Sequence, residues 1–548
     1  MENRRMAKSP AYDYDYVIIG SGFGGSVSAL RLSEKGYRVL VLEKGKWLTE
    51  KDFPRTNWNL KRWLWLPVLR FFGLFKLTIF RHVTILSGVG VGGGSLVYAA
   101  TLPVPKKSFF AADSWSHLAN WEEELKPFYQ TALKMLGASE NPHLDTGDLA
   151  LKQLAKELGK TDRFHPTTVG IYFGEPEKTV PDPFFNGEGP ERSGCRFCGG
   201  CMLGCRYNAK NTLDKNYLYL AQKHGAKIQA ESEVYDVVPL GAADGSEGYK
   251  IYWRSSTSFF KRKGEVTARG VVFAGGVLGT VRLLLKLKKT SLPNLSDRVG
   301  MNIRTNSESL IGVTTFDKNT DLSRGVAIGS ILHTDEHSHL EPVRYPAGAG
   351  FWRLLGAPMA FGRNVFVRFF KMVVDLFRHP VLNFRAYFVD DWAKRTQILL
   401  YMRTLNSTLR LVKGWFGLRT TLDEGEPPTA FVPEAKDLAE RFARIVNGKP
   451  MVLLTETLGG IPTTAHILGG AVMGTTPEEG VVDKDNRVFG YHNMYICDGS
   501  MISANPGVNP SLTITALSER AMSKIPPREK SVVKNKQMNE SGVVEMDN

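Results

Sequence analysis

One segment near the start of the chain restricts its possible folds more than any other. Residues 16–19 form a short apolar run that ends at the glycine-rich turn GSGFGG, residues 20–25, and a helical pattern follows to about Ser33. A second apolar run at 39–42 ends in Glu43. A strand, a glycine turn, a helix and a second strand ending in an acid are together typical of a dinucleotide-binding βαβ unit. The sequence therefore predicts an α/β fold, α+β overall, with a Rossmann-type domain.

The residues of this unit have separate roles in holding a dinucleotide. Gly20 allows the tight turn, Gly22 lets the backbone approach a pyrophosphate, and Gly25 lets the helix pack against the strand. Glu43 stands where a carboxylate accepts hydrogen bonds from ribose hydroxyls. We therefore expect these four residues to bind the cofactor.

Two further segments continue the pattern. Residues 88–95 are too rich in glycine for a strand interior, and such a run lets backbone amides close on a planar or anionic ligand. Residues 266–285 repeat the order of strand, glycine turn and helix, which is typical of a returning strand of the same sheet. Both segments are expected to lie beside the cofactor domain's first unit.

The composition changes between about 312 and 458, where strand-like alternation with few glycine turns indicates a second domain. We predict that residues 11–315 and 459–525 form a discontinuous dinucleotide-binding domain. Residues 316–458 are then a substrate-binding domain built on an antiparallel sheet. Residues 526–548 are polar and predict a disordered tail.

The charge of the chain points to an anionic partner surface. There are 70 lysine and arginine residues against 55 acids, a formal net charge of +15. No nucleic-acid-binding motif is recognisable, so we expect a membrane surface and no nucleic acid. Two basic, aromatic segments, 61–81 and 364–378, suit a membrane interface, although a position in the core stays open for both. No apolar run follows the leader at 1–11, which predicts a cytoplasmic protein, either free or peripheral on the inner face of the cell membrane.

Four of the five cysteines lie close together. Cys195, Cys198, Cys201 and Cys205 have the C-x2-C-x2-C-x3-C spacing of bacterial ferredoxins. Arg206 replaces the usual proline, and the second cysteine run of a two-cluster ferredoxin is missing. Three interpretations remain open: an iron–sulfur cluster on these four residues, a zinc site, and free thiols or a disulfide.

The motifs near the C-terminus identify a family. These are TAHILGG at 464–470, DGSMI at 498–502 and GVNPSLTITAL at 507–517. Together with the N-terminal glycine turn and GVGGGSLVY at 90–98, they closely resemble the glucose–methanol–choline (GMC) FAD oxidoreductases, in particular their cholesterol oxidase branch. The resemblance extends from about Asp13 to Lys524, with the motifs in the family's order.

The resemblance implies FAD as the cofactor and assigns its parts to two sets of residues. Those implied for the adenosine, pyrophosphate and ribityl groups are Gly20, Gly22, Gly25, Glu43, Val234, Asp498 and Gly499. Those implied for the flavin are Gly92, Gly93, Gly94, Ser95, Asn509 and Pro510.

His466 and Asn509 match the family's pair that grips the substrate hydroxyl. Removal of a hydride from a carbinol carbon leaves a developing carbonyl, so one group must accept the hydroxyl proton and another must hold the oxygen in place. A histidine tuned near neutrality suits the first task and an amide suits the second. We expect both residues to be catalytic.

Glu341 lies in the segment HSHLEPVRY, residues 337–345, which also resembles the cholesterol oxidase branch. In that branch a buried glutamate moves a proton from C4 to C6 of the steroid and so isomerises the Δ5 double bond to Δ4. Burial raises the pKa of a carboxyl group and makes its anion a competent base. The alternative is that Glu341 pairs with Arg344 or a nearby histidine.

The resemblance implies FAD-dependent oxidation of a cholesterol-like 3β-hydroxysteroid to the ketone, with O2 as acceptor and isomerisation as a further step. The alternative is a membrane-linked FAD and iron–sulfur dehydrogenase of long-chain or other bulky apolar alcohols, which would pass electrons to a membrane acceptor. A third interpretation is a catalytically inactive flavoprotein that binds lipid. The presence of both His466 and Asn509 argues against it.

Overall fold

The computed structural model describes residues 12–529, except for residues 363, 406, 416 and 426. Of the predicted tail, residues from 530 onward lie outside the described part. Its first residues run back along the first βαβ unit: the Tyr37 hydroxyl donates to the Pro526 carbonyl at 2.9 Å, and the Arg528 N–H donates to the Lys35 carbonyl at 2.9 Å. The start of the tail is thus tied to the domain core.

The predicted βαβ unit forms the centre of a seven-stranded sheet. Tyr14–Ile19 lies parallel between Val39–Leu42 and Lys263–Phe273, so the segment predicted as a returning strand joins the same sheet. Met494–Ile496 adds a further parallel strand beside Lys263–Phe273. The remaining order in space is Lys227–Gln229, Val39–Leu42, Tyr14–Ile19, Lys263–Phe273, Tyr249–Ser255 and Ser232–Pro239. The predicted Rossmann-type domain is confirmed.

Glycine allows the helix Phe23–Glu34 to start directly after its strand. Gly20 has φ +104°, in the left-handed region that favours glycine. A Cβ on Gly25 would lie 2.1 Å from the Gly20 carbonyl oxygen, and one on Gly24 would lie 1.7 Å from the Cys497 carbonyl oxygen. Any larger residue at these two positions would push the helix off its neighbours.

A second sheet of seven strands is antiparallel throughout, as predicted for the substrate domain. Two helices, Thr146–Glu157 and Pro433–Ile445, bury Leu154 and Phe442 against Val313 on one face. The order of the strands in space is Gly356–Pro358, Gly448–Leu453, Ser309–Thr315, Thr396–Arg403, Ser338–Val343, Ser330–His333 and Phe164–Pro166. Two of these strands, Phe164–Pro166 and Ser309–Thr315, come from outside 316–458, and the domain limits remain a prediction.

Smaller sheets and the other helices complete the described chain. The three-stranded sheets are Ile303–Arg304, Ser407–Gly414 and Gly417–Gly425, and Thr463–Thr464, Thr84–Gly88 and Phe75–Ile79; the strand pairs are Trp65–Leu66 with Phe71–Phe72, Ser139–Glu140 with Thr168–Val169, and Thr179–Val180 with Arg192–Ser193. The remaining α-helices are Leu60–Trp63, Lys107–Phe110, Trp121–Met135, Tyr217–Lys223, Gly276–Leu287, Val365–Arg378, Pro380–Tyr387, Trp392–Arg395 and Ser511–Ser523. Among the described residues, no helix has both the length and the apolar character needed to cross a bilayer.

Candidate active site

A cavity of about 380 Å³ is lined by residues from both large sheets and their connections. One side consists of the glycine turn at 22–24 and of residues 274–279, and the other includes Leu310, Ile398 and Leu400 of the antiparallel sheet. The volume lies within the range of about 300–1,000 Å³ that is usual for small-molecule sites. Most of the lining is apolar, so the cavity suits a large apolar ligand beside the nucleotide-binding turn.

The glycine side of the cavity leaves open space next to the backbone. A Cβ built on Gly22, Gly276 or Gly279 would meet no atom within 4 Å, and all three residues line the cavity. The helices Phe23–Glu34 and Gly276–Leu287 both begin here, so their free N–H groups and positive dipole ends face this space. These residues fit the pyrophosphate of a dinucleotide.

Three basic side chains lie near this end of the cavity. Lys44 and Lys76 line it, and burial together with the nearby charges of Lys44 and Arg282 lowers the pKa of Lys76 to about 8. Cations held this close together are stabilised when an anion binds between them. Sequence reasoning missed them because no motif distinguishes them from the many other basic residues.

Glu43 stabilises the glycine turn through hydrogen bonds to its carboxylate. Its Oε2 accepts hydrogen bonds from the Ser21 N–H at 3.1 Å and the Ser21 hydroxyl at 2.7 Å, and its Oε1 accepts from the Gly45 N–H at 2.7 Å. The carboxylate is buried and is not among the groups that line the cavity. Its contact with ribose hydroxyls remains a prediction.

Asp498 and its neighbours contribute to the cavity wall. Asp498 accepts from the Thr280 hydroxyl at 2.5 Å and from the Ser500 N–H at 2.8 Å, and burial raises the pKa of its carboxyl group. Gly499 and Pro510 line the cavity beside it. The structure therefore brings the C-terminal motif to the predicted nucleotide side.

The second glycine loop packs on the first. Gly92 has φ +100°, and a Cβ on Gly93 would lie 2.7 Å from the Gly22 Cα. The Ser95 hydroxyl donates to the Gly92 carbonyl at 2.7 Å and holds the loop closed. Of the four residues of this loop that are implied for the flavin, Gly94 lines the cavity, and Gly92, Gly93 and Ser95 do not.

Val234 lies away from the cavity wall. It pairs with Trp253 in the first large sheet and is buried in that sheet's core. Its predicted contact with the adenine remains a prediction.

His466 forms the centre of a buried hydrogen-bonded group. Its Nδ1 lies 2.6 Å from Oε1 of Glu308. The same carboxylate accepts from the Thr464 hydroxyl at 2.8 Å and from the Ala465 N–H at 3.1 Å. Glu308 is only 1% exposed, and both it and His466 line the cavity.

The environment of His466 favours its charged form. Burial disfavours an imidazolium, but the charge and hydrogen bond of Glu308, with a smaller contribution from Glu341, outweigh burial and raise the pKa of His466 above its usual value. A carboxylate at Nδ1 requires the proton on that nitrogen, which leaves the Nε2 lone pair free. A neutral His466 can therefore accept a proton at Nε2 and hold it.

Asn509 lies on the other side of this imidazole. Its Nδ2 is 3.4 Å from Nε2 of His466, and its Oδ1 has no hydrogen-bond partner within the described structure. Both residues line the cavity. The structure thus brings together the two residues that the sequence predicted to hold a substrate hydroxyl.

Glu341 is fully buried on the strand Ser338–Val343. Its Oε1 lies 3.5 Å from Nε2 of His339, whereas Arg344 pairs with Asp148 at 2.9 Å. Glu341 does not line the cavity itself, but it shares a strand face with Val343, which does. Its Oε2 has no hydrogen-bond partner among the described residues.

The four clustered cysteines line a separate cavity of about 360 Å³ and are free thiols. Within residues 12–529, as far as they are described, no group of three or more Cys, His, Asp or Glu is arranged to hold a metal ion. Burial raises the pKa of Cys195, Cys198 and Cys201, the last to about 12. The iron–sulfur and zinc interpretations therefore find no support.

Comparison with known proteins shows the family to which the chain is related. A family model described as GMC oxidoreductase matches residues 391–518, and one described as NAD(P)-binding Rossmann-like domain matches residues 18–49. A cholesterol oxidase of Acinetobacter baumannii is 47% identical over 94% of this chain and 95% of that protein. A cholesterol oxidase of Mycobacterium tuberculosis is 43% identical over 93% of this chain and 91% of that protein.

The fold also has a counterpart among solved structures. Pyridoxine 4-oxidase from Mesorbium loti aligns with a TM-score of 0.59 and 15% identity, covering 93% of this chain and 98% of the other. At that identity the likeness concerns the fold alone.

Proposed function

Because the chain belongs to the GMC oxidoreductase family, in the branch of the cholesterol oxidases, we propose that it oxidises the 3β-hydroxyl group of a sterol to a ketone. Membership makes it an FAD-binding oxidoreductase that acts on CH–OH groups. The single observation that carries the proposal is the pair of His466 and Asn509 on the wall of a largely apolar cavity, next to the dinucleotide cradle.

His466 and Asn509 have separate roles in the proposed oxidation of the alcohol. FAD, held by the glycine cradle, supplies the acceptor for the hydride that leaves the carbinol carbon. His466 accepts the hydroxyl proton at Nε2, the nitrogen that Glu308 leaves free. The Asn509 amide, whose Nδ2 lies 3.4 Å from His466 Nε2 on the same cavity wall, would hold the substrate oxygen beside that nitrogen.

The cavity favours a bulky apolar alcohol over a sugar. Leu310, Val343, Ile398 and Leu400 line it on the side of the antiparallel sheet, with Trp352 beside them. These side chains offer a ring system apolar contact and exclude water from the reacting hydroxyl.

We propose Glu341 as the base for isomerisation of the ketone product. Its carboxylate is buried, lacks a cationic lysine or arginine partner among the described ion pairs, and lies near enough to His466 to affect that residue's pKa. A carboxylate in such surroundings would take a proton from C4 of the Δ5-ketone and return it at C6.

A membrane is the proposed source of the substrate. The helix Val365–Arg378 turns its polar side inward: Arg368 is buried and donates to the Leu458 carbonyl at 2.7 Å. Its phenylalanines point outward instead, with Phe366 80% and Phe370 68% exposed. An apolar face turned to the outside beside basic residues suits the interface of an anionic bilayer.

The next helix, Pro380–Tyr387, connects this surface to the cavity. Phe384 is 63% exposed on it, whereas Ala386 and Tyr387 line the cavity. A sterol leaving the bilayer here would pass directly into the site. We accordingly propose a peripheral position on the inner face of the cell membrane, with O2 as electron acceptor.

The anaerobic absorption spectrum before and after addition of cholesterol tests the proposal. Flavin bands that bleach with cholesterol and recover on admission of O2 are expected. Bleaching that a membrane quinone reverses but O2 does not would exclude the oxidase. Bleaching only by a long-chain alcohol would exclude the sterol and favour the alternative substrate class.

A further inference from the structure

Glu308 is a buried acid that neither gives a proton to the substrate nor takes one from it in the proposed oxidation. Among the described ion pairs its partner is His466, and no lysine or arginine neutralises it. A buried carboxylate without a cationic partner is costly, and polar donors reduce that cost only in part. Its three hydrogen bonds are with Thr464, Ala465 and His466, three consecutive residues of the chain.

The backbone directly before Glu308 is strained. Ser307 has φ +48°, in the left-handed region that a serine seldom occupies. The preceding Asn306 donates from Nδ2 to the Val508 carbonyl at 2.8 Å, one residue before Asn509. Glu308 directly precedes the strand Ser309–Thr315 and lines the cavity together with Leu310 of that strand. Such strain persists where the surrounding structure requires it and is common at functional sites.

From these contacts we infer that Glu308 is the positioning residue of the active site: it fixes the imidazole of His466 with the proton on Nδ1 and stabilises the imidazolium that forms when the substrate hydroxyl is deprotonated. The inference rests on the proposed oxidation of an alcohol. Its logic is that of any histidine base held by a carboxylate at its second nitrogen. Nothing in the family motifs around His466 marks this distant residue.

Among the described residues, two further acids act on this pair. Glu341 also faces His466, and Glu456 faces Glu308. Burial, together with the charge of Glu308, raises the pKa of Glu456 to about 8, although a hydrogen bond with Thr463 opposes the shift. Glu456 does not contribute to the pKa shift of His466, whereas Glu308 and Glu341 both raise that pKa.

The test compares Glu308→Gln with Glu341→Gln. Both substitutions remove a carboxylate near His466, but only the carboxylate of Glu308 is hydrogen-bonded to it. Histidine labelled with ¹⁵N reports the titration of His466, and the His466→Ala variant identifies its resonance. We expect Glu308→Gln to lower the titration midpoint by about one pH unit or more and to shift the Nδ1 proton to Nε2. Glu341→Gln should shift the midpoint less.

The same variants are measured for turnover. Glu308→Gln should retain FAD, lose about 100-fold or more in kcat, and move the acidic limb of its pH profile to lower pH. Glu308→Asp, which keeps the negative charge, should recover part of the lost kcat and part of the shift in the pH profile. An unchanged His466 midpoint and tautomer in Glu308→Gln would overturn the inference, as would full turnover.

This outcome is separable from failure of the proposed function. If wild-type protein oxidises no alcohol, the oxidation proposal fails, yet the midpoint and tautomer still decide the role of Glu308. If wild type oxidises cholesterol and Glu308→Gln does so equally, the inference alone fails. If Glu308→Gln loses FAD, Glu308→Asp is measured in its place. Because aspartate keeps the negative charge, the titration midpoint of His466 in that variant must stay close to the wild-type midpoint.

Discussion

The Asn509 amide nitrogen lies 3.4 Å from Nε2 of His466, although 43 residues separate the two in the chain. His466 follows the short strand Thr463–Thr464, and Asn509 stands just before the helix Ser511–Ser523. A substrate hydroxyl in the cavity beside both side chains can meet a proton acceptor and a hydrogen-bond donor together.

His466→Ala should bind FAD normally and lose about 10²–10⁴-fold in turnover, because it removes the proton acceptor but not the glycine cradle. Steady-state oxidation of cholesterol and the flavin spectrum measure the two effects. His492→Ala is the matched control, since His492 is an exposed histidine that also lies near an acid, Asp244. Equal losses in both variants would contradict the assignment.

Glu341→Gln should still oxidise cholesterol but release the Δ5-ketone, because the amide cannot carry the proton from C4 to C6. Chromatographic separation of the two ketones measures the ratio. Glu336→Gln, an exposed acid in the turn before the same strand, should give the wild-type ratio. A normal Δ4-ketone yield from Glu341→Gln would remove it as the base.

Replacing Phe369 and Phe370 with serine should weaken binding to anionic vesicles by about tenfold, because two exposed aromatic side chains leave the interface. Sedimentation with phosphatidylserine vesicles measures it. Leu149→Ser removes an equally exposed apolar residue from another helix and should change nothing. Undiminished binding of the double variant would exclude this helix as the docking surface.

Glu456→Gln should make the protein more stable at pH 8–9 and nearly unchanged at pH 5. Burial raises the pKa of Glu456 to about 8, so the folded state binds more protons than the unfolded state between the two pKa values. Stability from this group is therefore complete at low pH and lost as the pH rises toward 8. Thermal unfolding should show a gain in Tm of about 2 °C or more at high pH. A gain that is the same at every pH would contradict this explanation.

Several parts of the site could be predicted because their causes are local. The turn at Gly20 and the close packing of Gly25 depend on neighbours within a few residues, so the glycine pattern alone indicates them. His466 and Asn509 were predicted through motifs of their own. The antiparallel sheet was expected from alternation, but its strand Phe164–Pro166 was not, since three residues carry too weak a pattern.

Other parts depended on contacts between distant segments. The outward apolar face of Val365–Arg378 could not be distinguished from a core face by periodicity, because the same spacing serves both. The ferredoxin-like cysteine spacing predicted a metal site as one interpretation, and only the folded loop showed four free cysteines around a cavity.

The sequence by itself determined the dinucleotide-binding fold, the family and the histidine–asparagine pair, since each is encoded in a short run of residues with strict local geometry. Only the tertiary structure decided that Glu308, 158 residues before His466, meets its Nδ1 at 2.6 Å. The reason is physical. A hydrogen bond and a buried charge act over a few ångströms in space, and no periodic pattern in the sequence indicates which distant residues the fold brings that close together.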